Sequence, residues 1–183
     1  MPDTAPAATR NDLTIYDDVA ADWWSDRTRW VRTLRNMVPG RMRHFDRVMA
    51  DHGGWQGREV LDLGCAGGFM AEALDDRGAR VTGIDPAARA IAAARAHAVE
   101  TGRTIRYDEG VGEALPYADA SFDAVVSVDV LEHVADLGQV IAETARVMRP
   151  GGVFLFDTIN RNPVASLAVV TVAERVIGLL PRG

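Results

Sequence analysis

The sequence predicts an α/β protein built on a parallel β-sheet with helices on both faces. From residue 60 onward, short apolar runs alternate with helical stretches, which is typical of βαβ units with right-handed crossovers. A glycine-rich turn follows the first apolar run, and an aspartate ends the second. Ligands of such sheets bind beyond the carboxyl ends of the strands, so these two features indicate where a site would lie.

The composition agrees with one globular domain. The chain has 183 residues, of which 48% are hydrophobic and 25% are charged, which excludes collagen-like, coiled-coil and disordered chains. The net charge is -6, so we expect no nucleic-acid partner. Cys65 is the single cysteine and residues 1–15 contain no apolar signal segment, which predicts a cytoplasmic protein without an internal disulfide.

Each predicted element follows from its local pattern. Residues 1–15 are expected to form a disordered tail, and 16–54 a helical cap that Pro39-Gly40 breaks into two helices. We expect residues 55–160 to form the ligand-binding core and residues 161–183 to form an amphipathic helical segment. Within the core the sequence predicts strands at 60–63, 80–85, 104–107, 122–128 and 153–157, with helices at 69–76, 86–100 and 137–148.

The glycine-rich turn, residues 64–68, is the strongest functional feature. Gly64 lacks a Cβ, which allows a sharp bend and a close approach by a ligand, and the amides at the following helix N-terminus favour a carboxylate. Asp85, a little over 20 residues further on, can accept both hydroxyls of a ribose. A dinucleotide site would need glycines where Ala66 and Phe69 stand, so the turn with Asp62 and Asp85 favours S-adenosylmethionine (SAM). A purely structural turn is the alternative.

Several motifs resemble one enzyme family. They are Asp22-Trp23-Trp24, Leu131-Glu132-His133, Arg149-Pro150-Gly151-Gly152 and Asn160-Arg161-Asn162-Pro163. From about Tyr16 to Gly183 the chain resembles class I SAM-dependent methyltransferases, and it is most similar to the ubiquinone-biosynthesis O-methyltransferases, which methylate polyprenyl catechols and phenols. The resemblance implies a Rossmann-like fold, SAM as cofactor and a small phenolic acceptor.

The resemblance also implies which residues bind SAM. An arginine after Pro39 should meet the SAM carboxylate, and Arg41 fits best, with Arg43 as the alternative. Val111 stands where many related enzymes have an adenine-binding acid, so backbone groups near Gly112 should contact the adenine. We therefore expect cofactor contacts from Arg41, Asp62, Gly64, Asp85, Gly112 and Val128.

The candidate catalytic residues follow the fourth predicted strand. A phenol must lose its proton to become a good nucleophile, which requires a general base or a metal. We expect His133 to be the base, together with Glu132. Alternatively, Asp129, Glu132 and His133 bind Mg or Zn, with positions 129 and 133 on one face if the segment is helical. A structural role at the strand–helix junction is the third interpretation.

Two regions concern the acceptor. Trp23 and Trp24 point in different directions on a helix, so one could pack inward while the other covers the cofactor or acceptor, or both could anchor the helix. Residues 164–180 are apolar but slightly short of the ~20 residues that a membrane span needs. We expect this segment to lie on a membrane surface or over the site, with ordinary core packing as the alternative.

The sequence contains five predicted strands, whereas the related enzymes have seven. We therefore expect a fragment or truncated product that lacks the last two strands and part of the acceptor pocket. The leading functional prediction is O-methylation of a phenolic or catecholic quinone precursor. A methyltransferase of another metabolite and a SAM-binding protein without turnover are the alternatives. The oligomeric state is left open.

Overall fold

A computed structural model describes residues 14–158 of the chain. The predicted segment 161–183 and all but the last two residues of the predicted tail lie outside the described residues. The strands are β1 Glu59–Leu63, β2 Arg80–Asp85, β3 Arg106–Glu109, β4 Phe122–Val128 and β5 Met148–Asp157. They form an entirely parallel sheet with the strand order β3-β2-β1-β4-β5.

Helices cover both faces of the sheet. They are α1 Thr14–Asp18, α2 Arg29–Ala50, α3 Phe69–Asp75, α4 Ala88–Glu100 and α5 Leu137–Val147, with a 3₁₀ turn at Ala20–Asp22. On one face, apolar side chains of α2, α3 and α4 share a core with β1, β2 and β4. On the other face, α5 packs through Val140 and Val147 against Leu61 and Val125. This arrangement confirms the predicted α/β architecture.

The expected break at Pro39-Gly40 is wrong, because α2 continues through both residues. Pro39 lacks an amide hydrogen and costs about 3 kcal/mol in a helix interior relative to alanine. Both residues are exposed, whereas Met42, Phe45 and Met49 bury one face of the same helix in the core. Burial of each such side chain contributes about 1.5–3 kcal/mol, so packing outweighs the local preference.

The N-terminal segment packs as an aromatic cluster at the start of α3. Trp23 is buried and stacks on Phe69, with ring centroids 5.4 Å apart. Tyr16 and Trp30 contact Trp23, each with a centroid separation of 6.2 Å. Because Phe69 is the first residue of α3, the cluster fixes the N-terminal helices beside the glycine-rich turn.

Candidate active site

A cavity of about 540 Å³ lies at the carboxyl ends of the strands. It is centred where the strand order reverses, between β1 and β4, which is where open α/β sheets bind ligands. His133 lines the cavity. So do all six residues that were expected to contact SAM: Arg41, Asp62, Gly64, Asp85, Gly112 and Val128.

The turn after β1 brings backbone close to the cavity. Gly64 has φ +76°, and a Cβ at this position would lie 2.2 Å from Cγ2 of Val130. Ala66 also has a positive φ, +43°, although it carries a side chain. The site therefore requires glycine at position 64 for two reasons, the backbone conformation and the contact with the loop after β4.

Asp85 lies at the end of β2 and binds the neighbouring backbone. Its Oδ2 accepts a hydrogen bond from the Ala66 amide (2.9 Å), and its Oδ1 accepts one from the Ala87 amide (2.8 Å). Burial raises the pKa of Asp85, and these two amides oppose the shift. Each carboxylate oxygen has a second lone pair, so Asp85 can accept hydrogen bonds from two ligand hydroxyls in the orientation that the amides fix.

Asp62 is the deepest acidic group of the cavity. Only 1% of the residue is exposed, and its Oδ2 has no hydrogen-bond partner among the described residues. Burial raises the pKa of Asp62 to about 7, the charge of Asp85 adds to the shift, and the Ala71 amide opposes it. An unpaired buried carboxyl oxygen is costly, so this group is suited to a donor supplied by a ligand.

Arg41 joins α2 to the ends of β4 and β5. Its Nη2 donates to Oδ2 of Asp129 and its Nε to Oδ2 of Asp157, each at 2.6 Å, and 10% of the side chain is exposed. The Asp129 amide also donates to the Asp157 carbonyl at 2.9 Å. Arg41, which was predicted to bind the SAM carboxylate, therefore lines the cavity and also binds two aspartates of the protein.

The segment after β4 forms turns between residues 129 and 135, not the helix on which positions 129 and 133 would share a face. The His133 amide donates to the Val130 carbonyl at 2.8 Å, and His133 is exposed at the cavity wall. Glu132 is not among the lining residues. Its Oε2 accepts a hydrogen bond from the Thr158 hydroxyl at 2.7 Å.

The three candidate metal ligands do not converge. Within residues 14–158, no three His, Cys, Asp or Glu side chains are grouped so that they could hold a metal ion. The Asp129 carboxylate binds Arg41, and Glu132 binds Thr158. The residue types would suit a divalent ion, but this arrangement does not fit one, so we derive no step through a metal.

Several lining residues are not indicated by the sequence patterns. Leu34, Val38 and Arg41 follow one another at intervals of four and three residues, so they share one face of α2. The expected break at Pro39 concealed this periodicity. Tyr16 also lines the cavity. Of the two tryptophans for which the sequence left a covering role open, Trp23 lines the cavity. Trp24 is not among the lining residues. Its indole N–H donates to the Gly67 carbonyl (3.0 Å) and its ring stacks on His97.

Comparison with known proteins decides the family. A model of the methyltransferase domain matches residues 61–156. The chain is 38% identical over 185 residues to a ubiquinone biosynthesis O-methyltransferase of Sodalis glossinidius, covering 97% of this chain and 73% of that protein. It is 41% identical over 174 residues to the enzyme of that name from Paracidovorax citrulli, covering 94% and 71%.

The chain belongs to the ubiquinone biosynthesis O-methyltransferase family. Its fold is that of the class I methyltransferases, as the motifs predicted. A solved S-adenosylmethionine-dependent methyltransferase from Mesorhizobium loti is 31% identical, with a TM-score of 0.53 over 57% of this chain and 48% of that one. Among the helices of residues 14–158, none is both long and apolar enough to cross a membrane.

Proposed function

We propose that this methyltransferase transfers the methyl group of SAM to a phenolic oxygen of a small quinone precursor. The observation that most supports the proposal is the cavity at the reversal of strand order, which is lined by the glycine-rich turn and by the buried carboxyls of Asp62 and Asp85. The relatives carry the matching name, ubiquinone biosynthesis O-methyltransferase.

The residues of the cavity suit the chemical groups of SAM. Asp85 is oriented to accept the ribose hydroxyls, and the unpaired Oδ2 of Asp62 can accept a hydrogen bond from the amino group of the methionine end. Residues 110–112 follow β3 and line the cavity, with Gly110 beside Ile84, so their backbone groups can contact the adenine. We propose that Arg41 binds the carboxylate while Asp129 and Asp157 hold its guanidinium in place.

The reaction is an in-line displacement that depends on alignment. When bound, SAM would supply a methyl group bonded to a sulfonium sulfur, which leaves as the neutral thioether of S-adenosylhomocysteine. The protein must hold the acceptor oxygen about 3 Å from that methyl, and such positioning contributes several kcal/mol to the rate. We propose that the acceptor binds beside the turns at 129–135, because His133, the proposed base, lines the cavity there.

We assign removal of the phenolic proton to His133. A phenol has a pKa near 10, and an imidazole is suited to accept its proton near neutral pH. His133 is exposed at the cavity wall, within a turn that its own amide closes. Glu132 is proposed as a positioning residue, because its bond to Thr158 ties this turn to the residue after β5.

The test is methyl transfer with purified protein. Labelled SAM is incubated with a short-chain polyprenyl catechol, with the matching dimethoxy compound as a control that offers no phenolic oxygen. Label in the catechol product alone supports the proposal. Transfer to neither compound, with SAM still bound, favours a SAM-binding protein without turnover. Transfer to unrelated metabolites offered in place of the catechol, and not to the catechol, favours another acceptor.

We further propose that turnover needs no divalent ion, because Asp129 is occupied by Arg41. Treatment with EDTA, followed by gel filtration, should leave the rate within about twofold of its initial value. Loss of activity that Mg²⁺ or Zn²⁺ restores would instead support a metal site at Asp129, Glu132 and His133.

A polyprenyl acceptor resides in the bilayer, which makes the apolar stretch 164–180 relevant. We propose that a cytoplasmic protein contacts the membrane surface through this stretch, which lies outside the described residues. Flotation with phosphatidylglycerol-containing vesicles should recover the protein in the lipid fraction. Substitution of Val169 and Val170 by aspartate should abolish recovery, and equal flotation of that variant would refute the proposal.

A further inference from the structure

Tyr16 is a cavity-lining residue that has no role in the proposed reaction. It lies in the short helix α1, far in sequence from the glycine-rich turn, and its ring is half-buried. Trp30 meets it edge-on at a centroid distance of 6.0 Å, and Trp23 is tilted against it at 6.2 Å. These two contacts fix the ring, so it is a preorganised part of the cavity wall.

Tyr16, Trp23 and Phe69 together form an aromatic wall on one side of the cavity. The carboxyls of Asp62, Asp85 and Asp129 line the same cavity. Aromatic faces attract cations through the ring quadrupole, and carboxylates do so through their charge. A cavity with both features favours a positively charged ligand group over a neutral one of the same shape.

The chemistry of SAM places such a group near Tyr16. Its sulfonium sulfur is bonded directly to the 5′ carbon of the ribose, so the transferable methyl lies between the ribose and the acceptor. Asp85 marks the proposed ribose end, and Asp129, which binds Arg41, marks the proposed methionine end. Tyr16 lines the cavity together with Asp85 and Asp129. Burial raises the pKa of the Tyr16 hydroxyl to about 12, and the charges of Asp85, Asp129 and Glu132 add to the shift. The side chain is therefore neutral at physiological pH and adds no competing charge.

We propose that the ring of Tyr16 recognises the sulfonium and thereby distinguishes the charged methyl donor from its neutral demethylated product, S-adenosylhomocysteine. The inference rests on the proposed function and adds a specificity-determining residue to it. Its consequence is kinetic as well as thermodynamic. Loss of the methyl removes the positive charge, so the product interacts less strongly with the aromatic wall and dissociates more easily.

The test compares the two ligands by calorimetry. Tyr16→Leu, which removes the ring, should weaken SAM binding about fivefold or more, the size of a cation–π contact. Binding of S-adenosylhomocysteine should change less than twofold. Tyr16→Phe keeps the ring and should change neither affinity by more than about twofold. Tyr117→Phe is the matched control, because that hydroxyl binds Asp108 and Tyr117 does not line the cavity.

The outcomes separate this inference from the proposed function. One outcome is that the wild-type protein binds both ligands while Tyr16→Leu lowers both affinities equally. In that case the ring packs against the ligand without distinguishing its charge, so the inference is wrong while the proposed function stands. Unchanged affinity for both ligands in Tyr16→Leu also overturns it. If the wild-type protein binds neither ligand, the proposed function fails, and this inference fails with it. Retained binding of S-adenosylhomocysteine shows that each variant is folded.

Discussion

At the level of single residues, the cavity combines groups that ordinarily would not be buried together. Asp62 and Asp85 are both almost fully buried, and burial raises the pKa of each. Arg41 is the one arginine or lysine among the described residues that line the cavity, and Asp129 and Asp157 neutralise its charge. The site is therefore acidic, which suits a ligand that carries a sulfonium and an ammonium group.

Replacement of His133 tests the proposed base. His133→Ala should lower turnover by about 10²-fold or more, the usual contribution of a general base. SAM affinity should stay within about twofold, because the assigned contacts to SAM come from other residues. Steady-state rates and calorimetry measure the two effects separately. A rate within a few-fold of the wild-type value would show that His133 is not the base.

Asp62 should make stability depend on pH in an identifiable direction. Folding raises its pKa from 3.8 to about 7, so the folded protein binds this proton more tightly than the unfolded chain does. The contribution of Asp62 to stability therefore declines as the pH rises from about 4 to about 7. Asp62→Asn should match the wild type below this range and be more stable above it by a few kcal/mol, since one pKa unit corresponds to about 1.4 kcal/mol.

Urea denaturation at about pH 4.5, 6 and 8, which spans the change in protonation of Asp62, measures that difference. Asp46→Asn is a control of opposite sign. Burial of Asp46 is outweighed by hydrogen bonds from Arg77 and Trp55, which lower its pKa, so this variant should lose stability at the higher pH values. A wild-type advantage over Asp62→Asn that grows across this pH range would contradict the burial argument.

At the level of elements, the turn between β1 and α3 depends on a contact with the loop after β4. Gly64→Ala places a methyl group against Val130 and forces an alanine into φ +76°. We expect lower stability and at least a tenfold loss of SAM affinity. Gly54 has the same φ, +76°, but no atom lies within 4 Å of the point where a Cβ would stand, so Gly54→Ala measures the conformational cost alone.

Adding Val130→Ala to Gly64→Ala removes Cγ1 and Cγ2 of Val130, the two atoms closest to the new methyl group. The double variant should therefore recover the steric part of the lost stability. The conformational part, about 1–2 kcal/mol, should remain. Chemical denaturation of the single and double variants gives both parts. Equal destabilisation by Gly64→Ala and Gly54→Ala would show that the contact with Val130 does not matter.

Local patterns predict the elements that are determined by their own residues. The apolar strands 80–85 and 122–128 match β2 and β4 because both are short, buried runs. The sequence predicts two helices in place of α2, because Pro39 and Gly40 are poor helix formers. The helix continues through both residues because Met42 and Phe45 pack in the core. β3 begins two residues later than predicted, where Tyr107 enters the core.

At the level of the whole molecule, the site is assembled from segments far apart in sequence. The sequence indicates the glycine turn, which follows a recognisable strand, and Asp85, which ends the next strand, and both line the cavity. Tyr16 could not be placed in the cavity, because its position depends on Trp23 and Trp30 rather than on its neighbours in sequence. The bonds from Arg41 to Asp129 and Asp157 span 88 and 116 residues, so no local pattern indicates them.

The most direct test of the central claim is calorimetric titration of the folded protein with SAM. We predict saturable binding with one site per chain. Asp85→Ala should weaken it at least tenfold, because the ribose hydroxyls lose a charged acceptor. Absence of measurable heat with either SAM or S-adenosylhomocysteine, or undiminished affinity in Asp85→Ala, would contradict the assignment of this cavity.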